Sequence, residues 1–189
     1  TVDEIFVSKF DFNGNCVWTV GAGSDGDDHG YDLATDKAGN IYLTGFISDH
    51  YGFPNNPGYF GSFVAPLPGD SIAYVAKLSP NGIFQWVKTF DAIEGERDNR
   101  IAVDSVGNVY ITGGFWGTKQ FGSVFLTSSG GYDVFVSKYD ANGNHIYTAK
   151  GGSTLDDRGN SITIDKFGDI YVTGEFRNHA IFGPDTMNN

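Results

Sequence analysis

Three acidic residues each stand beside a basic one in this 189-residue chain: Asp28-His29, Glu96-Arg97 and Asp157-Arg158, with Asp27 and Asp156 adjoining the first and third. Carboxylates converging from neighbouring loops could hold a cation or a polar ligand, and a carboxylate beside a base could move a proton. The structural alternative is a repeated ion pair tying adjacent units, or a solvated rim, and recurrence in each unit favours it. Asp11-x-Asn13-Gly14-Asn15 and Asp140-x-Asn142-Gly143-Asn144 also carry the oxygen donors that calcium takes. Their glycine stands fourth rather than sixth and no glutamate follows at the twelfth place, so the EF-hand loop is not met and a hairpin turn is the better reading. His29, His50, His145 and His179 fall in no HExxH or similar spacing, and neither a GxSxG elbow nor a Walker loop occurs. Cys16 is the single cysteine, which leaves no intramolecular disulfide and no Cys-based zinc site. The expectation is a non-catalytic protein without a bound cofactor; the one metal this pattern could serve is calcium, at Asp28, Glu96 and Asp157.

Charge narrows the partners. Twelve Lys and Arg against 23 Asp and Glu give a formal charge of −11, with no basic cluster to displace counterions from nucleic acid or to attract an anionic membrane. Apolar residues at 40% and aromatics at 15% suffice for a core of one-domain size. The 27 glycines are spread along the whole chain and exclude long helices. No apolar run reaches the roughly 18 residues of a membrane-spanning helix. The opening Thr1-Val2-Asp3-Glu4 lacks an initiator Met and any signal-like segment, so either a signal was removed or this is a piece of a longer chain, and the internal organisation favours the second.

That organisation is a repeat. Ile5 to Val20 recurs as Ala73 to Lys88 and as Val134 to Ala149, keyed by Lys9, Lys77 and Lys138 at steps of 68 and 61. A second segment, keyed by Asp36, Asp104 and Asp165, follows similar steps, and a third marker, Phe60-Gly61, Phe121-Gly122 and Phe182-Gly183, is spaced by 61 and 61. The extra residues of the first step therefore lie between Phe46 and Phe60. Each unit reads as four short strands in two hairpins. Asn13-Gly14, Asn81-Gly82 and Asn142-Gly143 turn one hairpin, with both residues expected at positive φ; Asp-x-x-Gly-Asn/Asp stretches from Asp36, Asp104 and Asp165 turn the other. Four-stranded units in tandem argue for an all-β fold of antiparallel β-propeller blades.

The pattern DVFVSKYDANGN followed by IxxDxxGx(I/V)Y(V/I)TGxF resembles the bacterial propeller repeat known as the SBBP repeat, over all three units from about Ile5 to Gly183. The resemblance implies display on a secreted or cell-surface protein and no particular activity.

The chain starts with an outer hairpin, 5–20, continues through blades at 31–88 and 100–150, and ends on an inner hairpin, 160–176. About three blade equivalents fall short of the usual ring of roughly four to eight. The expectation is an arc of a larger propeller completed by further blades of a longer chain, or a homodimer closing a six-bladed ring. Trp18, Trp86 and Tyr147 share one register, as do Phe46, Phe115 and Phe176, which marks them as inter-blade packing. His50, Tyr51, Phe53, Tyr59 and Trp116 have no counterparts and fall on the irregular loop face, where binding resides on rigid scaffolds. The functional expectation is a scaffold or adhesion module that holds a protein or glycan at the cell surface through those residues. The alternative is a channel-mouth lyase or hydrolase using the loop carboxylates.

Overall fold

A computed structural model describes residues 2–49, 56–91 and 99–188, and these residues form an all-β chain of β-propeller-like blades. Strands β1 (Ile5–Phe10) and β2 (Cys16–Ala22) make a free-standing hairpin. Strands β3 (His29–Thr35), β4 (Ile41–Ser48), β7 (Ser71–Leu78) and β8 (Phe84–Phe90) form a four-stranded antiparallel sheet in that order. The next sheet is six-stranded and runs β9 (Arg100–Val103), β10 (Val109–Phe115), β13 (Asp133–Tyr139), β14 (His145–Gly152), β17 (His179–Phe182) and β18 (Asp185–Asn188), while β15 (Arg158–Ile164) and β16 (Ile170–Glu175) form a second two-stranded hairpin.

Each sheet-to-sheet interface holds one apolar cluster. Ile5 and Val7 pack with Leu43, Tyr74 and Leu78 in the first; Ala73, Val75 and Phe90 pack with Ile111, Phe115, Phe135 and Tyr139 in the second. A smaller cluster of Ala102, Tyr110 and Ile162 joins the third sheet to the last hairpin. Strands β4 and β10 are covered on both faces, so they read as near-continuous apolar runs rather than as alternation.

The hairpin turns differ from expectation in one respect. Gly14, Gly82 and Gly143 have φ of 84°, 77° and 77°, but the asparagines before them do not have positive φ; Asn178 is the one non-glycine residue that does among those described. The register shifts by one residue beside each turn, at Lys9/Phe10, Lys77/Leu78 and Lys138/Tyr139. This is a type I turn closed by a glycine bulge, not the two-residue turn in which both centres are left-handed. The residue that opens the turn supports this form. Asp11 Oδ1 accepts from Asn13 N and Asn15 N, and Oδ2 from the Asn15 amide; Asp140 repeats this with Asn142 and Asn144, and in the middle turn the Ser79 hydroxyl accepts from Ile83 N at 3.2 Å. Asp36, Asp104 and Asp165 build the same cage in the inner hairpins, with Tyr42, Tyr110 and Tyr171 hydroxyls donating to the second oxygen.

Four strands per unit is also an undercount. Short hairpins β5–β6 (Gly58–Phe60, Phe63–Ala65), β11–β12 (Thr118–Phe121, Val124–Thr127) and β17–β18 (His179–Phe182, Asp185–Asn188) follow the inner hairpin of each unit. They occupy the positions expected to be irregular loop. Each reaches back to the last strand of the preceding unit: Tyr59 N donates to Gly23 O at 2.6 Å, Asp91 N to Gln120 O at 3.2 Å, and Gly151 and Gly152 pair with Phe182 and Ile181. The Phe-Gly marker is their turn. Gly61, Gly122 and Gly183 have φ of 60°, 58° and 59° at the first of two loop residues, the pattern of a type II′ turn.

Candidate functional site

The link from β2 to β3 carries Asp28 and the link from β14 to β15 carries Asp157; Glu96 lies outside the described residues. Asp28 is 1% exposed and Asp157 0%. Asp28 Oδ1 accepts from the Ser24 hydroxyl at 2.7 Å and from Ser48 N at 2.9 Å, while Oδ2 accepts from Ser24 N. Asp157 repeats the arrangement: Oδ2 accepts from Ser153 N at 2.6 Å and Oδ1 from Arg177 N at 2.8 Å. In both described units the carboxylate thus pins its own link and the chain at the end of β4 or just past β16. Burial pushes the Asp28 carboxyl above the usual carboxylate range, against the pull of the Ser24 and Ser48 donors.

A second carboxylate approaches each of these across a glycine, a juxtaposition not apparent from the chain's spacing. A Cβ placed on Gly152 would stand 2.7 Å from Asp133 Oδ1 and 3.1 Å from Asp157 Oδ2; one on Gly23 would strike both Glu4 and Asp28. The bare glycine is what lets two acidic side chains lie on either side of the strand end. Asp133 is fully buried, with Oδ2 accepting from Ser129 N at 3.0 Å and paired with Lys150 Nζ at 3.0 Å, while Oδ1 has no hydrogen-bond partner. Glu4, in the same register as Asp133, is exposed, and burial followed by the Asp28 charge raises its pKa. Two carboxylates supply fewer oxygens than the six to eight of a calcium shell, and no group of three or more His, Cys, Asp or Glu side chains converges among the described residues.

Of the five aromatic residues singled out on the loop face, His50, Tyr51 and Phe53 lie outside the described residues. Tyr59 sits on β5 and is 57% exposed; Trp116 directly follows β10 in the link to β11 and is 54% exposed. They belong to different units, and no ring contact joins them among the described residues. Val64 lies opposite Tyr59 on β6, and Phe125 occupies the corresponding place on β12, both exposed. The hairpins thus turn apolar side chains outward while their backbones are anchored to the preceding sheet.

Of the register-sharing aromatics, Trp18 and Trp86 act between blades, whereas the Phe46 ring stacks on His29 of its own sheet at 4.9 Å. The Trp18 indole donates to Pro80 O and that of Trp86 to Ala141 O, each at 3.2 Å, and Lys9 and Lys77 point at the same two carbonyls from 3.4 Å. The acceptor is each time the second residue of the next sheet's outer turn.

Fold and repeat together define a protein built of β-propeller-like blades. Residues 151–175, from the end of β14 through β16, match a family described as a β-propeller repeat, SBBP. Over 209 aligned residues the chain is 26% identical to an uncharacterized WD repeat-containing protein of Acanthamoeba polyphaga mimivirus, which covers 98% of this chain and 15% of that relative. The chain therefore spans about 15% of the length of the curated relative it matches.

Proposed function

We propose that this chain is a non-catalytic scaffold and binding module that takes a protein or glycan partner on the loop face, at the outward surfaces of its short hairpins. The observation that carries this reading is that the exposed apolar side chains Tyr59, Val64 and Phe125 stand on hairpins bonded to the neighbouring sheet, with the exposed Trp116 in the link that leads into the second of them. Rigid presentation of aromatic groups lowers the entropy lost on binding. The carboxylates that could have supported turnover accept hydrogen bonds from their own loops, which favours a binding role over a catalytic one. The similarity to propeller repeats and to a WD repeat-containing protein supports the same class. A secreted or cell-surface setting belongs to this reading through the resemblance of its repeat.

The test compares the wild-type chain with a Tyr59→Ser, Trp116→Ser variant on a glycan array and in cross-linking of surface-protein extracts. A glycan or protein held by the wild type and lost from the variant, with an unchanged unfolding midpoint, is the expected result. Equal retention by both chains overturns the assignment.

A further inference from the structure

The first of the three short hairpins differs from the other two in what it turns outward. On β5–β6 Tyr59 stands opposite Val64, and both side chains are 57% exposed. At the matched places β11–β12 pairs Gln120 with Phe125, and β17–β18 pairs Ile181 with Thr186. Gln120 and Ile181 are exposed as Tyr59 is, so the outward position belongs to the hairpin in every unit. The first pair alone is apolar on both strands.

Carboxylates gather beside that pair. Tyr59 exchanges backbone hydrogen bonds with Gly23 at 2.6 and 3.1 Å, which sets the β2–β3 link with Asp25 and Asp27 alongside the hairpin. The Asn56 amide, just before β5, donates to Asp25 Oδ2 at 2.6 Å. The Ser48 hydroxyl at the end of β4 donates to Asp27 O at 2.6 Å, and Asp49 N donates to Asp70 O at 2.8 Å. These bonds draw the link, the end of β4, the approach to β7 and the hairpin together, and Asp25, Asp27 and Asp70 are all exposed.

No cation answers them. Between Lys9 and Lys77 the chain has a single Lys or Arg, Lys37. Lys37 lies in the turn between β3 and β4, a strand length of roughly 20 Å from the β2–β3 link. Lys9 and Lys77 reach the Pro80 and Ala141 carbonyls at that same end of the sheets. Among the described residues no ion pair involves Asp25, Asp27 or Asp70.

An apolar pair beside uncompensated carboxylates attracts cations and repels anions, whereas a neutral sugar gains nothing from the charges. We infer that Tyr59 and Val64, with Asp25, Asp27 and Asp70 around them, seat a basic segment of a protein partner that lays an apolar side chain on the pair and Lys or Arg side chains against the carboxylates. The Tyr59 ring can also take a cation on its face. The exposed carboxylates act mainly on the rate of encounter and the choice of partner, and the apolar pair on how long it is held. The inference rests on the loop-face reading above and narrows its partner to a cationic polypeptide.

Fluorescence anisotropy on the whole chain tests it, with short labelled peptides in which a central Trp is flanked by Lys, by Gln or by Glu. The Lys peptide alone is expected to bind, about tenfold more weakly in about 0.5 M salt than in about 0.05 M, because screening shortens the reach of the charges. Tyr59→Ser, and separately Asp27→Asn with Asp70→Asn, should each weaken that binding about tenfold at an unchanged unfolding midpoint. Asp169→Asn with Asp185→Asn removes the same charge from exposed positions of the third unit and should leave the binding as it was. Equal binding of the Lys and Gln peptides, no binding of the Lys peptide, or equal loss from both pairs of aspartates overturns the inference. If the Lys peptide goes unbound while a glycan is still retained through Tyr59 and Trp116, this inference falls and the loop-face reading stands; if nothing is retained, both fall.

Discussion

Trp86 donates its indole N–H to the carbonyl oxygen of Ala141 at 3.2 Å, across the interface between two sheets, and Trp18 makes the same bond to Pro80 one unit earlier. A half-buried indole therefore ties each of the first two outer hairpins to the turn of the next. Replacing Trp86 with Phe keeps an aromatic ring and removes that donor. The expected loss is about 1 kcal/mol for the hydrogen bond, with further loss from the smaller ring. Urea unfolding should show a lower midpoint at an unchanged m-value, whereas an unchanged midpoint would show that the bond contributes nothing.

Gly82 and Gly14 share a left-handed backbone, with φ of 77° and 84°, but differ in what surrounds them. An added methyl at Gly14 meets nothing within 4 Å, while at Gly82 it stands 2.9 Å from the Trp18 ring. Gly14→Ala should cost about 1 kcal/mol through strain alone. Gly82→Ala should cost about 1–3 kcal/mol more, because the ring must move. Thermal unfolding of the two variants separates strain from crowding, and equal losses would remove Trp18 from the argument.

The buried Asp28 and the half-exposed turn carboxylates give opposite pH dependences. Burial raises Asp28, so in the window between its ordinary value and the raised one the folded state holds a proton that the unfolded state releases, and stability falls as pH rises through that window. Asp28→Asn should flatten this decline. It also leaves one oxygen to satisfy Ser24 and Ser48, and so should lower the overall stability by about 1–3 kcal/mol. Urea midpoints measured from about pH 3 to about pH 7 should show both effects; a slope that survives Asp28→Asn would assign it elsewhere, Glu4 first.

Asp36 behaves in the reverse sense. Burial pulls its carboxyl upward, but the Asn40 side chain and backbone, Tyr42 and Ala38 donate to it and hold it below the usual range. The side-chain amides of Asn15 and Asn144 lead the same effect at Asp11 and Asp140. A lowered carboxyl contributes stability above its unfolded value and loses it as pH falls through the folded value. Asp36→Ala should therefore destabilise the chain near neutral pH, by about 1–2 kcal/mol, and reduce the acid-side loss. A variant as stable as wild type at pH 7 would show the cage to be idle.

Fold class was legible in the chain because the repeated turns carry their own chemistry. Asp-x-x-Gly-Asn holds its cage within five residues, so a local pattern suffices to mark each hairpin. The alignment of Trp18 with Trp86 likewise foretold contact between units, since equivalent positions in a repeat meet equivalent neighbours. The short hairpins were less visible. Their strands are three or four residues long, and the partner that orders β17 is β14, some thirty residues earlier. Phe-Gly-Ser and Phe-Gly-Pro did mark their turns, but a glycine at the first loop position gains meaning only when flanking strands are known.

Composition and spacing by themselves thus determined an all-β repeat and the places of its turns, because those follow from periodicity. Tertiary structure alone decided that Asp28 and Asp157 are buried ties and that Glu4 and Asp133 approach them across bare glycines. Each of these depends on which strands become neighbours, and neighbours in a sheet are set by packing between residues far apart in the chain.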